Sequence, residues 1–328
     1  MIETWGHASD GTLVKRVTIS RHGLTARLLS FGATLQDLRI EGHKPSLVMG
    51  YTTLTPYLTN PNYFGSTVGR YANRIKNGRF TLNGEIIQLD QNTQQGHHLH
   101  GGRFGSSHRH WQIVEASKHE VLLKDVLPDG HMGYPGNLSV MSRFKIEDDC
   151  SLSQTITAHC DAPTLCNYTS HNYFNLDGGG DIRNHRLQVS ADHYLPVDDD
   201  DIPDGCAACV EGTRFDYKDA KLLNEDGACT HLDHNFCLSQ RPKELSQAAV
   251  ISSDKSKLRC EVWTNQPGLQ IFTGGSNPHN DSHSASTGIA LEPQGWPDAP
   301  NNPEFPTTVL NPGEEYFHET RFRILRQA

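Results

Sequence analysis

The sequence predicts an all-β protein, a large antiparallel β-sandwich of two sheets packed face to face, with few short helices. Three observations carry this. Polar and apolar residues alternate with a period of two through most of the chain, and apolar helical periodicity is scarce. Gly 29 and Pro 17 among 328 residues cut the alternation into short runs, as turns between strands require.

The elements follow in order. Residues 17–20 and 24–40 read as strands interrupted by glycine, with Gly32 as a bulge or turn. Residues 79–89 read as a hairpin whose two runs meet at Asn83-Gly84, a dipeptide that tolerates positive φ at both turn positions. Residues 138–146 and 152–158 repeat the pattern across Asp148-Asp149, and residues 249–252 and 258–263 repeat it around Asp254-Lys255. The best helical candidates are short, at 54–57 and 220–223. No Gly-Ser or Pro-rich linker and no internal repeat divides the chain, so one continuous domain over 1–328 is expected.

Bulk properties exclude several functions. A formal charge of −9 and a pI near 6.1 do not suit a nucleic-acid partner, which calls for a basic face. No apolar run approaches the roughly 18 residues needed to span a bilayer. The start, Met1-Ile2-Glu3-Thr4-Trp5-Gly6-His7, lacks the basic and then apolar pattern of a secretory signal. Eight cysteines scattered over this length do not form a disulfide framework and fit a reducing cytoplasm. Cys206-Ala207-Ala208-Cys209 invites a zinc or redox reading. However, Cys229 and Cys237 make no second close pair, and the motif follows Pro203-Asp204-Gly205 in a loop. Two ordinary thiols are expected there.

Five segments hold residues suited to chemistry. In 291–298, Glu292 closes the apolar run Gly288-Ile289-Ala290-Leu291 and precedes Trp296-Pro297-Asp298. This places a carboxylate at a strand rim beside an aromatic ring, where partial desolvation makes it a general base near neutral pH. In 69–75, Arg70, Asn73 and Arg74 offer guanidinium forks and an amide suited to sugar hydroxyls. Asn73 and Arg74 reach one ligand only from a turn, and an ion pair for one of the arginines is an equal reading. In 96–102, His98 and His100 share one face if extended, but Arg103 and Phe104 stand where a metal site would need a carboxylate. His97 and His98 read as exposed loop residues. In 171–176, His171 and Tyr173 lie in a strand-like run, and a histidine is a natural proton partner for a glutamate. Asp233 accepts two hydroxyls, and Gln270 both donates and accepts. Asp233-His234 forms no nucleophilic triad, because no Gly-x-Ser-x-Gly elbow is present.

Together, Gly-Arg-Tyr-Ala-Asn-Arg-Ile at 69–75, Leu-His-Gly-Gly at 99–102, His-Asn-Tyr-Phe-Asn-Leu at 171–176, Asp-His-Asn-Phe at 233–236 and Leu-Glu-Pro-Gln-Gly-Trp-Pro-Asp at 291–298 resemble the aldose 1-epimerase (galactose mutarotase) family. The resemblance implies a many-stranded mutarotase-like supersandwich with a sugar cleft on a concave sheet, and no metal or organic cofactor. It implies a monosaccharide substrate and a monomer or homodimer. It makes Glu292 the general base and His171 the general acid, with His100 a supporting histidine. Asn73, Arg74, Tyr173, Asp233 and Gln270 then match sugar-contact positions. Three stretches depart from the family pattern: 103–108, 275–278 and Pro293. Two rival expectations remain. A mutarotase for a phosphorylated hexose would use Arg103, His108 and Arg109, and a sugar-binding protein on the same fold would have lost the acid or the base.

Overall fold

The computed structural model describes residues 1–8, 10–59, 62–274 and 286–327. Its main elements are strands in three antiparallel sheets. A nine-stranded sheet runs in the order Gln112–Ala116, Glu120–Leu127, Leu138–Ile146, Ser151–Cys160, Tyr316–Arg326, Leu258–Thr264, Ser246–Ser253, His185–Val189 and Lys221–Leu222. The last long strand of the chain therefore lies mid-sheet. Burial alternates along Leu138–Ile146, with Leu138, Val140, Phe144 and Ile146 in the core. This is the period-two pattern of a strand wet on one face.

A four-stranded sheet joins Ile2–His7, Leu13–Arg21, Leu24–Leu29 and Thr34–Ile40 in sequence order. The break expected at Gly32 is present. Its φ is 68°, and a Cβ there would come within 2.6 Å of the Ser107 carbonyl oxygen, so glycine is needed for both reasons. The hairpin Arg79–Leu82 to Glu85–Gln88 turns through Asn83 and Gly84 at φ 52° and 84°, the signs a type I′ turn demands. The helix Thr55–Thr59 lies one residue beyond the start expected of it. The helix expected at 220–223 is not formed. Lys221–Leu222 is an edge strand paired with Arg186 and Leu187, because a single helical turn is costly to nucleate and the sheet edge satisfies the backbone instead.

A six-stranded sheet runs Tyr173–Phe174, Ile289–Gln294, Gly268–Phe272, Asp233–Cys237, His193–Tyr194 and Ala208–Cys209. Its apolar positions, Phe174, Phe236, Leu269, Ile271, Ile289 and Leu291, join side chains of the other two sheets in one continuous core. Phe174 meets Phe322 of the nine-stranded sheet with ring centroids 5.0 Å apart. The opposite face of this sheet is left to carry polar side chains. All eight cysteines are free thiols, and no helix among the described residues is long and apolar enough to cross a membrane.

Burial pushes the imidazoles of His98 and His318 down to about 4 and that of His171 to about 3. Each binds its proton more weakly in the folded chain than in the unfolded one. Its contribution to stability is therefore intact above the ordinary imidazole value of about 6.5 and is lost as pH falls below it, by about 1.4 kcal/mol per pH unit per imidazole. The buried carboxyls of Glu292 and Asp233 shift upward and oppose this. The thermal midpoint is expected to fall as pH drops from neutrality through the imidazole range, as calorimetry would read it. A midpoint that stays level or rises over that range would contradict the assignment of neutral buried imidazoles.

Candidate functional site

The polar face of the six-stranded sheet is set by strand register. Asn235 pairs with Gln270 and Gln270 with Glu292, so these three share one row. One step along, Asp233 pairs with Phe272, Phe272 with Ala290 and Ala290 with Tyr173. Cross-strand partners and residues two apart share a face, so both rows point away from the apolar core. Glu292, Gln270, Asp233 and Tyr173 are thereby delivered to one side by four strands that are far apart in sequence.

Two other segments close over this face. The short strand pair Arg74–Ile75 with His98–Leu99 brings Asn73 and His100 together. Both residues leave the strands in left-handed conformation, at φ 67° and 52°. The Asn73 backbone N–H donates to His100 Nδ1 at 3.1 Å, and Asn73 Oδ1 accepts from the Arg74 N–H at 2.7 Å. The first bond fixes the tautomer. Nδ1 is an acceptor, so the neutral ring carries its proton on Nε2. His171 arrives on the link between Thr169–Ser170 and Tyr173–Phe174.

All eight residues singled out in the sequence, Asn73, Arg74, His100, His171, Tyr173, Asp233, Gln270 and Glu292, line one cavity of about 180 Å³. A larger concavity of about 530 Å³, lined by residues such as Asn265, Thr308 and Phe317, contains no acid–imidazole pair. At the first cavity, His171 Nε2 lies 3.6 Å from Glu292 Oε1, and both residues are buried. Burial pushes the Glu292 carboxyl well above the usual carboxylate range, Asp233 adds to this, and Arg74 opposes it. Burial drives His171 down to about 3 and His100 well below the usual imidazole value. Glu292 Oε2 and His171 Nδ1 have no hydrogen-bond partner among the described residues. A buried carboxyl and a buried imidazole in contact can pass protons to a ligand and back.

The rim is a polar cradle. Gln270 Nε2 donates to Asp233 Oδ1 at 2.5 Å, and Arg74 lies 2.8 Å from Asp201 and 3.9 Å from Asp233. Asp201, which anchors Arg74, carries no signal in the sequence. Tyr63, Asn62, Leu99 and Phe272 complete the lining and were likewise missed. The cue for Tyr63 is slight: an aromatic inside the turn-rich run Asn60-Pro61-Asn62-Tyr63-Phe64-Gly65.

Several expectations need correction. Glu292 is not at a strand rim but inside Ile289–Gln294, paired with Gln270. The Trp296 ring is not its neighbour. That ring packs with Leu195, Ala299 and Phe305, and the aromatics at the site are Tyr63, Tyr173 and Phe272. His97 and His98 are buried, not exposed. His98 bonds to the Asp90 carbonyl and the Tyr134 hydroxyl, both at 2.6 Å, and shares no face with His100, because the strand ends at Leu99. Of the two arginines it is Arg74 that makes an ion pair, with Asp201, and Arg70 makes none among the described residues. Its guanidinium donates to the carbonyls of Leu127, Pro128, Pro135 and Gly136. Arg109 is held by Asp125 at 2.6 and 3.0 Å, Arg103 lies 3.5 Å from Asp90, and His108 bonds to the Thr59 carbonyl at 3.2 Å. None of the three lines the cavity. Residues 275–278 lie outside the described residues.

His100, His171 and Glu292 could also hold a metal ion, since their donor atoms lie within 4.8 Å of one another. That donor set overlaps the carboxyl–imidazole pair itself.

An antiparallel sandwich with a buried acid–imidazole pair beneath a cradle of amides, carboxylate and guanidinium defines a class of sugar-handling enzyme. Comparison with known proteins makes it specific. The aldose 1-epimerase family profile matches residues 15–323. The chain is 36% identical to the aldose 1-epimerase of Escherichia coli (strain K12) over 99% of each protein. It is 37% identical to the galactose mutarotase of Rattus norvegicus, over 96% of this chain and 95% of that one. Among solved structures, an aldose epimerase homologue from C. elegans superposes with a TM-score of 0.89 at 30% identity, covering 95% of this chain and 99% of that one. Galactose 1-epimerase from Lactobacillus acidophilus superposes at 0.87 and 28% identity, covering 100% and 99%. This chain belongs to the aldose 1-epimerase family.

Arg74 is the one cationic side chain other than histidine at the cavity among the described residues. Replacing it by methionine leaves Asp201 and Asp233 without this counter-charge and takes a cation from the cavity wall. Arg74→Met is expected to raise KM about tenfold or more, equivalent to about 1.4 kcal/mol, and to lower kcat less. An unchanged KM in a folded Arg74→Met protein would remove Arg74 from the sugar cradle.

Proposed function

We propose that this protein interconverts the α and β anomers of a free aldose, galactose foremost, with Glu292 as general base and His171 as general acid. The observation that carries the reading is the 3.6 Å contact between Glu292 Oε1 and His171 Nε2 at the cavity. In the closed-sugar complex the pair is carboxylate and imidazolium. Glu292 takes the proton of the anomeric hydroxyl, and the carbonyl forms at C1 as the bond from C1 to the ring oxygen breaks. His171 gives its proton to that oxygen, leaving a neutral carboxyl, a neutral imidazole and the open aldehyde. Rotation about C1–C2 presents the other carbonyl face. The reverse transfers then close the opposite anomer, so each turnover returns both protons.

The pair holds one proton between its two members throughout this cycle. Burial favours the neutral arrangement, which corresponds to the open-chain end of the reaction. The sugar's anomeric hydroxyl, donated to Glu292, stabilises the charged arrangement at the closed-ring end. His100, with its proton on Nε2, supports the ring oxygen, and Asn73, Arg74, Tyr173, Asp233 and Gln270 bind hydroxyls. Arg103 and Arg109 face their own carboxylates, which supports an unphosphorylated sugar over a hexose phosphate. Residues 1–328 act as one domain in this reading, supported by the mid-sheet place of Tyr316–Arg326. The free thiols support a cytoplasmic setting.

Polarimetry of freshly dissolved α-galactose, α-glucose, α-arabinose and α-xylose tests the reaction. Faster approach to the same final rotation is expected, with galactose quickest. No acceleration with any free sugar would sink the proposal. Glu292→Gln and His171→Asn are each expected to lower kcat at least about 100-fold while sugar affinity stays within about threefold. Near-normal turnover in either variant contradicts the assigned roles. Dialysis against a chelator is expected to leave the rate unchanged, and a loss restored by added metal would replace this mechanism with one through a bound ion.

A further inference from the structure

His171 is placed without the usual orienting hydrogen bond. Its Nδ1 has no partner among the described residues, whereas a catalytic imidazole is commonly held there by a carboxylate or carbonyl. Rings take that place. Tyr173 lies nearly parallel to the imidazole, 22° off at a centroid distance of 4.9 Å, and Tyr63 lies 18° off at 5.8 Å. Tyr63 also meets His100 edge-on at 4.7 Å. It therefore touches both histidines of the cavity.

The backbone of Tyr63 shows that this placement is imposed. Its φ is 56°, a left-handed conformation that is unusual for a bulky side chain and costs of order 1 kcal/mol. The turn that holds it is bonded to the residue it covers. The Gly65 N–H donates to the His171 carbonyl at 2.9 Å, and the His171 N–H donates to the Ser66 carbonyl at 2.9 Å. The Ser66 N–H closes the turn onto the Tyr63 carbonyl at 2.9 Å. Tyr63 and His171 are thus fixed in one frame by main-chain bonds, and any drift of the turn would carry the ring off the imidazole.

We propose that Tyr63 is a positioning residue: its ring, locked to the His171 backbone by the 63–66 turn, sets the plane of the His171 imidazole so that Nε2 faces Glu292 and the sugar. The inference rests on His171 acting as the general acid. It assigns the work to the ring and not to the phenol hydroxyl.

Two substitutions separate the ring from the turn. Tyr63→Phe keeps the ring and is expected to retain kcat and KM within about twofold. Tyr63→Asn keeps a residue that accepts left-handed backbone but removes the ring. It is expected to remain folded, to lose about 10- to 100-fold in kcat as for a misplaced catalytic group, and to keep KM within about threefold. In a His171→Asn background the further change Tyr63→Asn is expected to cost nothing, because there is no imidazole left to place. Wild-type kcat in Tyr63→Asn, a loss in KM alone, a Phe variant as poor as the Asn variant, or additive losses in the double variant would each overturn the proposal. If His171→Asn itself retains turnover, the acid–base reading fails first. If His171→Asn is inactive and Tyr63→Asn is not, only the positioning role falls.

Discussion

Burial of one carboxyl against one imidazole is the constraint from which the rest of the structure follows. Glu292 and His171 sit side by side with almost no exposure, so neither can take its ordinary charge from water. In isolation that arrangement is costly. It persists because Glu292 belongs to a central strand whose alternate residues, Ile289 and Leu291, are fixed in the main core. The strand cannot rotate the carboxyl outward without exposing those side chains. Each buried apolar side chain is worth about 1.5–3 kcal/mol, so the core outweighs the unfavourable burial of the polar pair.

The same reasoning explains where backbone strain is found. Asn73, His100 and Tyr63 all take positive φ, and all three line the cavity. Each sits just outside a short pairing or turn that holds it: Asn73 and His100 at the end of the Arg74–Ile75 and His98–Leu99 pair, Tyr63 at the turn bonded to His171. Left-handed residues redirect the chain abruptly and let side chains from separate segments converge. Gly101 shows how tight the packing is, since a Cβ there would fall 1.8 Å from the Gly69 carbonyl oxygen. The sheets hold the geometry, and the strained residues spend part of that stability on placing donors and acceptors.

Much of this was legible in the residues. Period-two runs and Asn83-Gly84 located strands and a hairpin because those signals are local, set by side-chain alternation and turn sterics. The eight residues that the family resemblance picks out come from five separate segments, and the fold brings all of them to one cavity. What was not legible is long-range. Glu292 read as a strand end because the apolar run stops at Leu291 and Trp296-Pro297-Asp298 follows, yet pairing with Gly268–Phe272 carries the strand through Gln294. His98 and His100 read as a pair because alternation was assumed to continue, and one left-handed residue ended it. Arg103 and Arg109 looked free because Asp90 and Asp125, which neutralise them, lie 13 and 16 residues away. Tyr63 meets its partner across more than a hundred residues, and only the fold makes that contact visible.

The proposed mechanism requires the pair to carry one proton, and burial, which raises the Glu292 carboxyl and lowers the His171 imidazole, favours the carboxyl as its holder before sugar binds. Infrared spectroscopy of the sugar-free protein at neutral pH, compared with Glu292→Gln, reads this directly. A protonated carboxylic acid stretch is expected in the wild type and absent from the variant. A wild-type spectrum in which the Glu292 signal is that of a carboxylate would contradict this placement of the proton.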